Sequence, residues 1–302
     1  MGLLLLVLRR VPLGDLTTRL LSLSGPYIVA LTALTTLQVA ITALRLWRIL
    51  RRLGERVGLG SVTASILVGL AYNMLLPTSM GGDVLRALYL RKRLQVPHRA
   101  WSSGVYDRIA SLSALACAGI FGLLFGAQHL GGLPERTRIV ALVFGLLVIA
   151  AFLFASYPFR LLVRLLGTRM PAVARDDLKG LTEDLQGPLA TPSVRMETLG
   201  WSLLHQGVAC LFAVVGAMAL GDGAHAAQVA IGMPIVYLLS MLPLTIGGHG
   251  LREGVYLGVL GALGVLPGVA LGLSALWLAS SLLFAAIGAL VVLQTRKPRA
   301  TA

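Results

Sequence analysis

Residues Leu76–Arg86 read LPTSMGGDVLR, and 166 residues later Leu242–Arg252 read LPLTIGGHGLR; aligned without gaps, six of the eleven positions are identical. Each segment sets a proline, a glycine pair and an arginine inside a long apolar stretch. Proline and paired glycines free backbone groups and let the chain turn sharply. A half-helix beginning after Gly82 or Gly248 would aim its positive end and free N–H groups at an anion, phosphate included. Arg86 and Arg252 add forked donors suited to phosphate oxygens. Asp83 and Glu253 would orient those arginines or meet a cationic group. The candidate binding set is Asn73, Gly81, Gly82, Asp83 and Arg86 from the first segment, and Gly247, Gly248, Arg252 and Glu253 from the second, joined by Asp107 and Arg108. The same residues also fit a structural role, in which Asp83 caps a helix and the arginines pair with Asp83 or Glu253 to pin the segments together.

Other polar residues carry less. Asn73 could bond a freed carbonyl or a ligand, and the sequence does not separate these. Arg108 can snorkel to an interface, whereas Asp107 cannot, which favours a pair facing protein. His205 and Gln206 suit interhelical donors. Cys117 and Cys210 lack metal-type spacing and are expected as small core residues. No nucleophile, base or metal set is spaced for catalysis, so neither an enzyme nor a cofactor is expected.

The surroundings of these residues fix the class of protein. Of 302 residues, 57% are hydrophobic and 13% charged, with a mean hydropathy of +0.84; soluble domains carry about 25% charged residues. Pro26–Leu44, Trp101–Ala127, Ile139–Ala155, Leu199–Leu220 and Gly268–Leu293 approach or exceed the ~20 residues that cross a bilayer. They are continuously apolar and not alternating, which excludes a β-barrel. The expected fold is an all-α, polytopic integral membrane bundle. The formal net charge of +14 is explained by Lys and Arg in cytoplasmic loops; without basic–aromatic interleaving, no nucleic-acid partner is expected. Met1–Leu8 is too short for a signal peptide and looks like the tail of a helix.

Orientation follows from the basic clusters. Arg45, Arg48, Arg51, Arg52 and Arg56 form one, and Arg91, Lys92, Arg93 and Arg99 the next. Both belong on the cytoplasmic side, so the segment between them should dip in and return. Trp101–Ala127 then leads out to GGLPERTR, and Ile139–Ala155 returns. Residues 157–198 form a cytoplasmic stretch in which FRLLVRLLG suits either an interfacial helix or a solvated linker. Leu199–Leu220 leads out again, and Gly268–Leu293 comes back to QTRKPR. The second motif therefore begins and ends outside. Two re-entrant helical hairpins, around 73–90 and 242–256, would enter from opposite faces and share a site near the midplane, as inverted repeats do. Residues 1–302 are expected to form a single transmembrane domain.

At these residues the chain resembles the lysylphosphatidylglycerol synthase transmembrane, or flippase-like, family. The match runs through ALRLWRIL at Ala43–Leu50, NMLLPTSMGGDVLRA at Asn73–Ala87, YDR at Tyr106–Arg108 and PLTIGGHGLREG at Pro243–Gly254. It departs at the N-terminus, which resembles a member lacking most of its first span, and at His249, where a smaller residue is usual. The resemblance implies a lipid translocase of the cell membrane handling an anionic phospholipid or a polyprenyl-phosphate headgroup. The alternative it leaves open is a non-transporting subunit that presents lipid to a glycosyltransferase. The chain stops soon after its last span, so no attached aminoacyltransferase domain and no synthase activity are expected.

Overall fold

The computed structural model describes residues 13–75, 81–125, 135–153, 172–240 and 251–296. Among these the α-helices are α1 (Leu13–Leu21), α2 (Gly25–Arg52), α3 (Leu59–Leu75), α4 (Gly81–Arg91), α5 (Arg99–Phe125), α6 (Glu135–Leu153), α7 (Ala172–Gln186), α8 (Pro192–Ala219), α9 (Ala226–Ser240), α10 (Leu251–Ala262) and α11 (Pro267–Arg296). Short 3-10 turns at Pro188–Ala190 and Gly223–His225 precede α8 and α9, and no strand occurs among the described residues. Among the described residues, five stretches are long and apolar enough to cross a membrane: Gly25–Arg52, Arg99–Leu124, Pro192–Ala219, Gly223–Ser240 and Pro267–Leu293. The chain is a multi-pass, all-α membrane protein.

Of the five spans expected from sequence, Pro26–Leu44 and Gly268–Leu293 fall inside these stretches, while Trp101–Ala127 and Leu199–Leu220 overlap them and run past their ends at Leu124 and Ala219. The Ile139–Ala155 window coincides with α6 as far as Leu153, where the apolar run Arg138–Ala150 is shorter. Two helices extend further than their apolar windows. α2 runs past Leu44 to Arg52, so Arg45 is helical and not in a loop. α8 starts at Pro192, inside the stretch read as cytoplasmic linker, and α7 occupies much of the rest of it. GGLPE up to Pro134, FRLLVRLLG and Met1–Leu8 lie outside the described residues.

The chain divides into two compact units. One comprises 1–38, 112–149 and 203–280; the other comprises 39–111, 150–202 and 281–302. The first motif belongs to the second of these and the second motif to the first.

In the unit holding the first motif, α3 and α4 form a tight antiparallel hairpin. α4 runs on through Lys92–His98 into α5. Leu46, Leu50, Val57, Leu90 and Leu94 pack at the ends of α2 and α4, and Ile49, Leu53, Tyr106, Phe152, Leu181 and Leu185 bury the inner face of α7. The turn after α2 is closed by Gly54, whose φ of 84° lets Glu55 N–H reach back to the Leu50 carbonyl. Glu55 is then buried and accepts hydrogen bonds from Gln95 N, Val96 N and Arg99 Nη1 at 2.7, 3.1 and 3.0 Å. One carboxylate thus joins the α2–α3 link to the α4–α5 link.

In the unit holding the second motif, Met233, Val236, Tyr256, Leu260, Val269 and Leu273 bring α9, α10 and α11 into one apolar core. Gly221, at φ 85°, ends α8 in the same way as Gly54 ends α2. Arg19 Nη1 donates to the Leu220 carbonyl at 2.6 Å, which satisfies an orphan acceptor at the end of α8. Asp222 pairs with His225 at 2.6 Å and accepts Leu266 N–H, tying two turns together.

Candidate functional site

The first cluster begins with the hairpin. Gly82 stands where a Cβ would run into the Gly69 carbonyl oxygen and the Asn73 side chain. Close backbone approach is what small residues provide between membrane helices. Asn73 Oδ1 accepts the Gly82 N–H at 2.9 Å. Of the two roles open to Asn73, the structure therefore shows a backbone bond, made to an N–H and not to a carbonyl. It satisfies one of the orphan donors of the first turn of α4.

Gly81 and Gly82 open α4, Asp83 lies in its first turn, and Arg86 follows on its buried face. Arg86 meets α5. Its Nη1 donates to Asp107 Oδ2 at 3.3 Å, while Arg45 Nε of α2 donates to Asp107 Oδ1 at 2.7 Å. Arg45 is held from its other side, where Nη1 donates to Ser202 Oγ of α8 at 3.0 Å. Asp107 therefore does not pair with its neighbour Arg108. It sits between two other guanidinium groups on other helices.

The far end is looser. Arg86 Nη2 lies 3.6 Å from Asp83 Oδ1, and Arg108 Nη1 lies 3.8 Å from Asp83 Oδ2. Side-chain exposure rises along the chain of charges, from 4% and 5% at Arg45 and Asp107 to 8% at Arg86, then 33% and 38% at Asp83 and Arg108. Three guanidinium groups share two carboxylates, leaving an excess of positive charge. The inner end makes hydrogen bonds with good geometry; the outer end makes only ion-pair contacts beyond hydrogen-bond range.

The second cluster lies at the start of α10. Arg252 Nη2 donates to Glu253 Oε1 at 2.9 Å, and Ser274 Oγ of α11 donates to the same oxygen at 3.3 Å. The Arg252 guanidinium also stacks 4.6 Å from the centroid of the Trp277 ring. An arginine near a helix N-terminus meets the positive end of the dipole. The carboxylate and the ring face offset that cost. Gly247 and Gly248 lie outside the described residues, as do Pro77, Pro243 and His249.

Arg252 thus pairs with the acid beside it, whereas Arg86 pairs first with Asp107 of α5 and more loosely with Asp83 of its own motif. The two clusters belong to different units, and each stands as a local arrangement. Among the described residues, no group of three His, Cys, Asp or Glu side chains could hold a metal ion.

Sequence reasoning missed Arg45, Ser202, Ser274 and Trp277. Arg45 was counted with the basic loop cluster, yet it is 3% exposed. A signal was present: Ile41, Arg45, Ile49 and Leu53 recur at four-residue steps and are all buried, so the apolar stripe of α2 continues past Leu44 with an arginine in register. Ser274 and Trp277 lie three apart inside a uniformly apolar span, where nothing marks one face.

Neither curated proteins nor solved structures gave a match to the chain. The profile of one family does match, over residues 1–289. That range takes in both motifs, the Asp107–Arg108 pair and every helix of the two clusters except the last residues of α11. The protein belongs to the family described as the lysylphosphatidylglycerol synthase TM region.

Proposed function

We propose that this protein is a lipid-handling domain, not an enzyme, that binds the phosphate of an anionic phospholipid or polyprenyl-phosphate headgroup and helps it across the cell membrane. The observation that carries this reading is the gradient in the first cluster. Arg45 and Asp107 are fixed and buried, whereas Arg86 and Arg108 turn toward a one-third-exposed Asp83 at 3.6 and 3.8 Å. A phosphate with several acceptor oxygens could bridge those two arginines at true hydrogen-bond distance. A structural brace would be expected to close its outer contacts as tightly as its inner ones. Arg252, stacked on Trp277 and paired with Glu253, offers a second guanidinium of the same kind.

Re-entrancy of the hairpins is part of the proposal. α4 has 11 residues and α10 has 12. At 1.5 Å per residue each is roughly 17–18 Å long, well short of a ~30 Å hydrocarbon core. Basic residues flank the α3–α4 hairpin at both ends, Arg51, Arg52 and Arg56 before it and Arg91, Lys92 and Arg93 after it, which favours one side for both. A second reading, a subunit that presents lipid to a glycosyltransferase without moving it, would use the same phosphate site.

The test is lipid identification by mass spectrometry of the purified protein, followed by a headgroup-accessibility assay in vesicles. The proposal expects a phosphate-bearing lipid to be retained and its headgroup to change leaflet faster than in protein-free vesicles. Retention without accelerated exchange would favour the presenting role. Retention of neutral lipid alone would contradict both.

A further inference from the structure

A separate surface at the ends of α2 and α4 has no part in the cluster around Asp107. Arg51, Arg56, Lys92 and Arg93 are all exposed there. Leu50 and Val57 pack with Leu90 and Leu94 beneath them, and Glu55 ties the two links together. The only carboxylate in the links 53–58 and 92–98 is therefore buried and engaged with two backbone N–H groups and Arg99. Beside it, Arg48 and Arg52 share the single carboxylate of Glu197, and Arg91 takes Asp177. Acidic partners on these elements are used up, and four cations remain over.

Two of the four rest on aromatic faces. The Arg51 guanidinium lies 5.4 Å from the centroid of Trp47, and that of Arg93 lies 3.7 Å from the centroid of Tyr89. Trp47 is anchored in turn, its indole N–H donating to the Val57 carbonyl at 3.0 Å. Trp47 near the end of the apolar α2 and Tyr89 near the end of α4, each with a guanidinium over its ring, match the layer where acyl chains give way to headgroups. A ring holds the arginine at low entropic cost; Arg93 Nη1 also donates to the Tyr89 carbonyl at 3.0 Å, and the remaining donors can meet phosphate.

We propose that Arg51, Arg56, Lys92 and Arg93 form a docking surface for anionic phospholipid headgroups of the adjoining leaflet, distinct from the site at Arg86. The occupant follows from charge complementarity and from the place of the surface at the end of α2, a helix long and apolar enough to cross a membrane. A phosphodiester carries one negative charge per lipid, and four unmatched cations on one edge would gather several such lipids.

The experiment reconstitutes the full chain in vesicles of equal parts phosphatidylcholine and phosphatidylglycerol, extracts it in mild detergent and measures the retained lipids by mass spectrometry. Phosphatidylglycerol should be enriched at low salt, with the enrichment fading by about 0.5 M NaCl as exposed charges are screened. The combined variant Arg51→Gln/Arg56→Gln/Lys92→Gln/Arg93→Gln should lose at least about fivefold of that enrichment, since one basic residue at an anionic surface already changes partition by about that factor. Should it fold poorly, the pair Arg51→Gln/Arg93→Gln should show the same direction. Arg136→Gln, which removes an exposed charge from the other unit, should keep the enrichment, and the combined variant should still retain the salt-resistant lipid of the buried headgroup site, so failure of this proposal and failure of the headgroup site are distinguishable. Wild-type enrichment in the combined variant, or enrichment indifferent to salt, would overturn the proposal.

Discussion

Asp107 is the residue on which the first cluster turns. It accepts from Arg45 at 2.7 Å and from Arg86 at 3.3 Å, almost fully buried. Replacing it with Asn would take the carboxylate from buried Arg45 and leave Arg86 only its looser contact with Asp83, and breaking a buried pair costs about 3–5 kcal/mol. Asp107→Asn should therefore depress yield and thermal stability in detergent. Asp83 presents the opposite case. It is one-third exposed, and both of its arginine contacts exceed 3.5 Å, so Asp83→Asn should change stability by less than about 1 kcal/mol. Thermal unfolding of the two variants side by side measures the gradient directly. Equal losses would mean that the outer contacts brace the fold as firmly as the inner ones. Arg45 belongs with Asp107 in this comparison: Arg45→Ala should resemble Asp107→Asn because Ser202 cannot replace the guanidinium. The sequence pointed to Asp107 through the cost of burying a carboxylate, but it suggested the wrong partner. Arg108 follows Asp107 in the chain, and neighbouring residues on a helix do not face one another.

At the scale of elements, the α3–α4 hairpin and its neighbours are set by glycines. A Cβ at Gly82 would meet the Gly69 carbonyl and the Asn73 side chain, and one at Gly288 of α11 would meet the Leu67 carbonyl of α3. Backbone cannot yield as a flexible side chain can. Gly82→Ala and Gly288→Ala should each destabilise by about 1–3 kcal/mol through overpacking. Gly207→Ala, where nothing lies within 4 Å, should be neutral or slightly stabilising. Melting temperatures of the three variants check this ordering. The paired glycines at 81 and 82 were legible as a break with close packing. Gly69 and Gly288 were not, because single glycines in apolar helices carry no positional signal of their own. The long helices were legible for a simpler reason: each needs a run of apolar residues longer than any buried soluble helix requires. Their ends were not. Arg45 and Arg48 stopped the apolar window of α2 early, although the helix continues to Arg52.

Across the whole molecule, charge is distributed unequally between the two units. Arg9, Arg10, Arg19, Arg136, Arg138 and Arg252 are the basic residues of one unit, and the remaining Lys and Arg fall in the other. If the basic unit carries the cytoplasmic ends and the hairpin is re-entrant as proposed, cysteines introduced at the exposed positions Arg52 and Gln95 should label from that face alone. Labelling of one of them from the outer face would mean that residues 57–99 cross the membrane. The repetition of Leu-Pro-x-x-x-Gly-Gly-x-x-Leu-Arg is a whole-molecule property that sequence reading caught, since it needs only comparison of the chain with itself. The local surroundings of each copy were hidden, because Asn73, Trp277 and Ser274 reach their partners through packing that periodicity does not encode. The central claim, that the arginines of the two motifs bind lipid phosphate, is tested most directly by comparing lipid translocation with thermal stability in Arg86→Lys, Arg86→Ala, Arg252→Lys and Arg252→Ala. Lysine keeps the charge and loses the planar fork. The account predicts folded proteins in which all four changes weaken lipid binding or translocation by about tenfold or more, the loss expected from one charge-assisted hydrogen bond. Stability that collapses in the alanine variants, while the folded remainder keeps full lipid activity, would contradict it.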